Sequence, residues 1–169
     1  MKDSNFNFKY FGQYPNIEAL KNLVNNLTNK DWRYFTKRQT IASQNAYTIP
    51  LIYPQKSTFK PGEHKFFEVF ENHLMEIEEQ LSLTVKRSIL VMLPAGNSIN
   101  RHKDTGEFLN KNRRVHLPVI TNKMCRFVVE DEEMFMPEGE FWEINNTGKY
   151  HSVHNDGEID RIHLIIDVG

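Results

Sequence analysis

From about Lys86 to the C-terminus, the spacing of apolar residues changes from a period near 3.6 to a period of 2, and this change constrains the fold more than any other feature of the chain. Short runs follow one another over 86–93, 98–103, 113–121, 125–130, 140–145, 150–155 and 161–168. Turn-forming groups separate them at Pro94-Ala95-Gly96-Asn97, Pro137-Glu138-Gly139, Asn146-Thr147-Gly148 and Asn155-Asp156-Gly157. Many short strands at such intervals build a sandwich or a barrel.

The preceding half reads differently. Residues 16–29 carry Ile17, Leu20, Val24 and Leu27 at helical spacing after Pro15-Asn16. Residues 61–83 repeat the pattern more strongly, with Phe66, Phe70, Leu74, Ile77 and Leu81 in one stripe and glutamates on the other faces. His73, beside that stripe, reads as a packed core-edge histidine. Between the helices, 39–54 is rich in Thr, Ile and Tyr and predicts a strand or two. The expectation is one domain over 1–169, with a helical support region (1–85) laid on one face of a β core (86–169).

Strand parity then raises a chemical problem. In "RRVHLPVI", Val115, Leu117 and Val119 share one face, and Arg114, His116 and Pro118 the other. In the last run, Ile162, Leu164 and Ile166 oppose Arg161, His163 and Asp167. In an isolated strand the Arg/His face would meet water. The two amphipathic helices, however, also need an apolar surface. If they cover the aliphatic face, the arginines point into the barrel, where a guanidinium requires an anionic partner. Two such arginines call for an anion with more than one acidic group, such as a dicarboxylate held by forked hydrogen bonds.

A second cluster is metal-like. His102 and Asp104 stand two apart at the end of a strand, so both side chains can touch one ion, and either His151 or His154 could complete the set. Two histidines and one carboxylate on one face of an octahedron leave three open positions, as in non-haem Fe(II) oxygenases. Zinc favours a more closed tetrahedral set.

The ordered elements H-x-D (102–104), R-x-H-L-P-x-x-T-N (114–122), G-E-x-W (139–142), H-x-V-x-N (151–155) and R-x-H-L-x-x-D (161–167) resemble the aspartyl/asparaginyl β-hydroxylase-like family of Fe(II)- and 2-oxoglutarate-dependent oxygenases. A weaker echo lies in Trp32 and Arg38-Gln39. The resemblance implies a double-stranded β-helix (a jelly roll, cupin-like) with helices packed on one sheet. It implies Fe(II) held by His102, Asp104 and His151, with 2-oxoglutarate and O2 as co-reactants. Arg161, ten positions after His151, would hold the distal carboxylate of 2-oxoglutarate, and Arg114 and His116 would lie at or near that cosubstrate. His151 is preferred to His154 because it has the family's spacing to Arg161, and because His154 falls on the opposite strand face with Ser152. The family's serine partner to the cosubstrate arginine has no clear counterpart, Ser88 being the nearest. The implied activity is hydroxylation of an amino-acid side chain, free or in a peptide or protein, with release of succinate and CO2.

Other features narrow the setting. A net charge of −1 with scattered basic residues gives no case for nucleic acid or an anionic membrane. The lone Cys125 and an opening segment without a signal-like apolar run lead us to expect a cytoplasmic protein. Trp142 reads as packing, Glu130–Glu133 as a solvated hairpin tip, and 105–112 as a loop able to cover the iron. Competing readings are a cupin-like metal-binding protein and a non-catalytic jelly-roll interaction domain. The compact chain favours a small amino-acid or short-peptide substrate.

Overall fold

The computed structural model describes residues 5–33, 44–52 and 64–169. The N-terminal half supplies strand β1 (Phe8–Gln13), helices α1 (Ile17–Asn25) and α2 (Asn29–Arg33), strand β2 (Tyr47–Ile52) and helix α3 (His64–Leu81). Then follow β3 (Val85–Leu93), β4 (Ser98–His102), a short helix α4 (Glu107–Lys111), β5 (Arg113–Ile120), β6 (Cys125–Val129) and β7 (Glu132–Met134). Strands β8 (Glu140–Ile144), β9 (His151–Asn155) and β10 (Arg161–Val168) complete the chain.

All strand pairing is antiparallel. Six strands form one sheet in the order β1-β8-β5-β10-β3-β2, and four form a second in the order β4-β9-β6-β7. The β periodicity predicted a sandwich or barrel, and the two sheets form the jelly roll that the family resemblance implied. The larger sheet takes β1 and β2 from the helical half, so the two parts of the chain share one hydrogen-bonded framework.

Two cores flank the six-stranded sheet. On its outer face, Phe70, Leu74 and Ile77 of α3 and Leu20 and Val24 of α1 pack against Val115, Leu117 and Val119 of β5 and Ile162, Leu164 and Ile166 of β10. The stripe read from the α3 sequence is the buried stripe. On the inner face, Val91, Leu93, Ile144 and Ile165 meet Ile99, Phe127, Val129 and Val153 of the smaller sheet. The helices therefore take the aliphatic faces of β5 and β10, and the opposite faces of those strands line the interior. β10, in the middle of the sheet, is buried along its entire length.

The helix expected over 16–29 is broken. Asp31 Oδ2 accepts hydrogen bonds from Thr28 N–H (2.9 Å) and Thr28 Oγ1, while Asp31 N–H donates to Thr28 Oγ1 (3.3 Å). This reciprocal capping box starts a new helix, α2, at Asn29. The cover over 105–112 contains helix α4 rather than loop alone. β1 and β7 are edge strands absent from the sequence reading. In β1 a bulge between Tyr10 and Gly12, with Gly12 at φ +117°, breaks the alternation that would have revealed it. Among the described residues no helix is long and apolar enough to cross a membrane.

Candidate active site

His102 ends β4, Asp104 follows in the next loop, and His151 opens β9 directly opposite His102 in the ladder. One ligand-type atom from each lies within 4.8 Å of the others. His102 Nε2 is 3.8 Å from Asp104 Oδ1, and His151 Nε2 is 4.0 Å from Asp104 Oδ2. Nδ1 of His102 donates to the Asn100 carbonyl (2.7 Å), which fixes the tautomer and leaves Nε2 with a free lone pair. His154, the rejected alternative, points away: its Nδ1 meets Ser98 Oγ at 3.0 Å and its Nε2 meets Ser152 Oγ at 3.2 Å.

Asp104 is held on two sides. Its backbone N–H donates to the Asn146 carbonyl (3.0 Å), and Asn146 Nδ2 donates back to Oδ2 (2.8 Å). Arg114 Nη1 also donates to Oδ2. Burial opposes ionisation of Asp104, but Arg114, Asn146 and the two imidazoles outweigh it and hold the carboxyl below its ordinary range. Burial pushes His151 down to about 4, against a partial upward pull from Asp104. The cluster at neutral pH is thus one carboxylate and a neutral His151, the forms that bind a cation.

Arg114 and Arg161 both sit inside, as the parity reading required, but their electrostatics differ. Arg114 is neutralised by the chain itself. Besides Asp104 it donates from Nε to Asp167 Oδ1 (2.8 Å) and from Nη2 to Asp167 Oδ2 (3.2 Å). The expectation that two interior arginines demand an external polyanion is therefore corrected to one arginine. Sequence reasoning could not find this pairing, because cross-strand register brings Asp167 opposite Arg114.

Arg161 is 2% exposed, and among the described residues no carboxylate pairs with it. Its Nη2 donates to His163 Nδ1 (2.9 Å), and its guanidinium lies 5.8 Å from the Phe127 ring centre. Burial lowers it to about 10, so it stays charged at neutral pH. Since His163 Nδ1 accepts from Arg161, neutral His163 carries its proton on Nε2, a buried donor with no partner. Both nitrogens of His116 are also buried and unpartnered. Burial, then the nearby Arg161 charge, drives His116 and His163 well below the usual histidine range. Phe127 links the two regions: it stacks on His151 (6.1 Å, 15°) and lies edge-on to His116 (5.1 Å).

Ser88 lies opposite Ile166 in the β3–β10 ladder, on the helix-covered side, so it cannot reach Arg161. Thr121 instead borders the small cavity beside Arg161 and His163, whose other walls include Phe127, Met134 and Met136. His73 is a packed edge residue hydrogen-bonded to the Tyr14 hydroxyl (2.6 Å). Trp142 is half-buried at the sheet rim, with Tyr10 against it and its Nε1 donating to Glu140 (2.9 Å). The acidic run is the tip of the β6–β7 hairpin, as expected, with Glu130 and Asp131 in the turn and Glu132 and Glu133 opening β7. Trp32 is buried in the outer core, and Arg38-Gln39 lie outside the described residues. Asn146, read only as a turn residue, emerges as a partner of Asp104.

A jelly roll carrying a His-Asp-His cluster at one mouth and a buried cationic pocket behind it defines the oxygenase class of this fold. A family model described as Aspartyl/Asparaginyl beta-hydroxylase matches residues 20–169, and the chain belongs to that family of hydroxylases. No curated protein matches the sequence significantly. Among solved structures, an oxidoreductase of the 2OG-Fe(II) oxygenase family from Burkholderia pseudomallei aligns with TM-score 0.60 at 10% identity, covering 96% of this chain and 84% of that one. The viral collagen prolyl hydroxylase of Paramecium Bursaria Chlorella virus-1, solved as its 2OG complex, gives 0.60 at 9% identity over 99% and 98% of the two chains. A Pseudomonas putida prolyl-4-hydroxylase gives 0.60 at 14% over 98% and 93%. At such identities these likenesses speak for the fold.

Proposed function

We propose that this protein is an Fe(II)- and 2-oxoglutarate-dependent dioxygenase in which His102, Asp104 and His151 bind the iron and Arg161 binds the distal carboxylate of the cosubstrate. The donor set suits the metal, since two imidazoles and one carboxylate leave positions for a chelating keto acid and O2. The observation that carries the reading is Arg161. A buried guanidinium without an anion is costly, and its neighbour His163 offers a second unpaired donor in the same place. A carboxylate satisfies both. The cavity there measures about 10 Å³, so admitting a dicarboxylate requires Met134 and Met136 to swing aside, a movement suited to their unbranched side chains. A metal-binding jelly roll without oxygen chemistry, or an interaction domain, leaves this cation unexplained.

Iron and cosubstrate together would supply oxidative decarboxylation of 2-oxoglutarate to succinate and CO2, with insertion of one oxygen atom into a substrate C–H bond. The chain's own residues do the rest. His102 presents its Nε2 lone pair, neutral His151 places Nε2 toward Asp104, and Asp104 offers Oδ1, because Oδ2 is occupied by Arg114 and Asn146. Phe127 and the inner core keep water from the region between cluster and Arg161. His102, the most exposed of the three, marks the side from which substrate approaches.

The substrate is an amino-acid side chain, free or in a peptide. The family description names aspartyl and asparaginyl hydroxylation, and two structural neighbours are prolyl hydroxylases. Anaerobic titration with Fe(II) and then 2-oxoglutarate tests the cofactors: a weak visible charge-transfer band is expected only when both are present. Succinate release across a panel of amino acids and peptides, with a +16 Da product, identifies the substrate. Absence of the band in iron-loaded protein at saturating cosubstrate would reject the proposal.

A further inference from the structure

Four charged side chains form a continuous row across three strands and one loop, with Arg114 and Asp167 buried and Arg87 and Asp104 half-buried at its ends. Arg87 of β3 donates from Nε to Asp167 Oδ2 (2.5 Å), Asp167 of β10 receives Arg114 of β5 on both oxygens, and Arg114 reaches Asp104. The ladders explain the alignment, since Asp167 lies opposite Arg87 on one side and Arg114 on the other. The Phe108 ring of α4 lies 5.2 Å from the Arg87 guanidinium and covers the outer end. Asp167 itself is 1% exposed. Nothing in the proposed chemistry needs a carboxylate at this position to touch iron, cosubstrate or substrate.

We infer that Asp167 is a positioning residue: it holds Arg114 against Asp104 so that Asp104 Oδ2 is occupied by hydrogen bonds and Oδ1 alone faces the metal position. This rests on the reading of His102, Asp104 and His151 as a metal centre. Two physical effects follow from the row. The first is geometric. Arg114 is gripped on two nitrogens by Asp167, so its third donor arrives at Asp104 at a fixed angle, and Asn146 fills the remaining approach to the same oxygen. Asp104 is thereby set as a one-oxygen ligand, keeping a coordination position open. The second is electrostatic. The two arginines and two aspartates sum to zero, so a divalent cation arrives beside a neutral row. Without Asp167 the row would hold two arginines and one aspartate, and its net positive charge would oppose the metal. The conformation of Asp104 is thus set from a residue 63 positions away in sequence.

Anaerobic Co(II) binding to the full chain, read by titration and by visible d–d absorption, tests this without turnover. Asp167→Asn keeps the side-chain shape and removes the charge; it should raise the Co(II) Kd by about tenfold or more and change the d–d spectrum, the scale on which outer partners of metal ligands act. Arg87→Gln, at the less buried end, frees Asp167 Oδ2 but leaves the row one unit negative, so it should change the d–d spectrum without the rise in Kd. His151→Ala serves as the control for the metal centre and should lose tight binding. If His151→Ala loses binding while both Asp167→Asn and Arg87→Gln retain the wild-type spectrum and Kd, the positioning role is overturned and the metal centre stands. If Asp167→Asn does not fold, Arg87→Gln decides by the same criterion. If His151→Ala binds Co(II) as the wild type does, the metal-centre reading fails, and the inference with it.

Discussion

Arg161 donates a hydrogen bond to His163 two residues further along the same strand, at 2.9 Å, and both side chains are shut inside the barrel. Adjacent same-face residues of a strand seldom pair a full charge with a neutral ring when a carboxylate is available. Here the ring holds the guanidinium in place, and the His163 Nε2 beside it is a second buried donor without a partner.

Removing that guanidinium should therefore affect cosubstrate and spare metal. Arg161→Ala is expected to weaken 2-oxoglutarate binding by roughly 2–5 kcal/mol, the usual cost of deleting one partner of a desolvated charge pair. Fe(II) affinity should change little. Titrating the charge-transfer band with 2-oxoglutarate measures this, and wild-type affinity in the variant would remove Arg161 from the site.

The choice between neighbouring histidines is a separate expectation. His151→Ala and Asp104→Ala should abolish tight Fe(II) binding, whereas His154→Ala, which breaks only contacts to Ser98 and Ser152, should retain it. Calorimetric metal titration of the three variants decides the matter. Loss of iron in His154→Ala with retention in His151→Ala would reverse the assignment.

Acid should destabilise the metal-free protein early. His116 and His163 are fully buried, and their folded-state values lie well below the ordinary 6.5 because burial and the Arg161 charge disfavour the imidazolium. Below pH 6.5 the unfolded chain takes up protons at these positions and the folded chain does not. Stability is thus full above that pH and is lost as the pH falls from 6.5 towards the folded values, by about 1.4 kcal/mol per pH unit for each histidine that stays neutral. Urea midpoints at pH 7.5, 6.5 and 5.5 should show a flat segment and then a steep fall. A midpoint constant down to pH 5.5 would contradict the neutral, buried state of these rings.

The outer core carries stability without touching the site. Leu164 is fully buried between α3 and the larger sheet, on the face opposite His163. Leu164→Ala should cost about 2–5 kcal/mol in chemical denaturation. Co(II) affinity of the folded fraction should be preserved. A large loss of metal affinity at unchanged stability would mean that the two faces of β10 are coupled.

Much of this architecture was legible locally. The α3 stripe and seven of the ten strands among the described residues follow from spacing, because the side-chain period is a property of the backbone itself. Edge strands were less legible. β1 is interrupted by its bulge, and the three-residue β7 begins inside the acidic run at the hairpin tip. The break between α1 and α2 was hidden because the apolar spacing continues through Leu27, while the Thr28–Asp31 capping box acts on backbone geometry rather than on hydrophobic pattern.

By itself the sequence determined the β core, the aliphatic and polar faces of β5 and β10, the ordered family motifs and, through them, the cluster of His102, Asp104 and His151. Only the tertiary structure decided which face of the sheet the helices cover and which interior arginine is already neutralised. Face choice depends on packing between layers. Neutralisation depends on register: Arg114 meets Asp167 because β5 and β10 pair at that position, and meets Asp104 because the loop after β4 returns beside it. Charge pairing falls off within a few ångströms, so it is set by distances in space that residue order does not encode locally. The same sequence pattern, R-x-H in two strands, thus yields one arginine committed to the chain's own carboxylates and one that no carboxylate among the described residues pairs with.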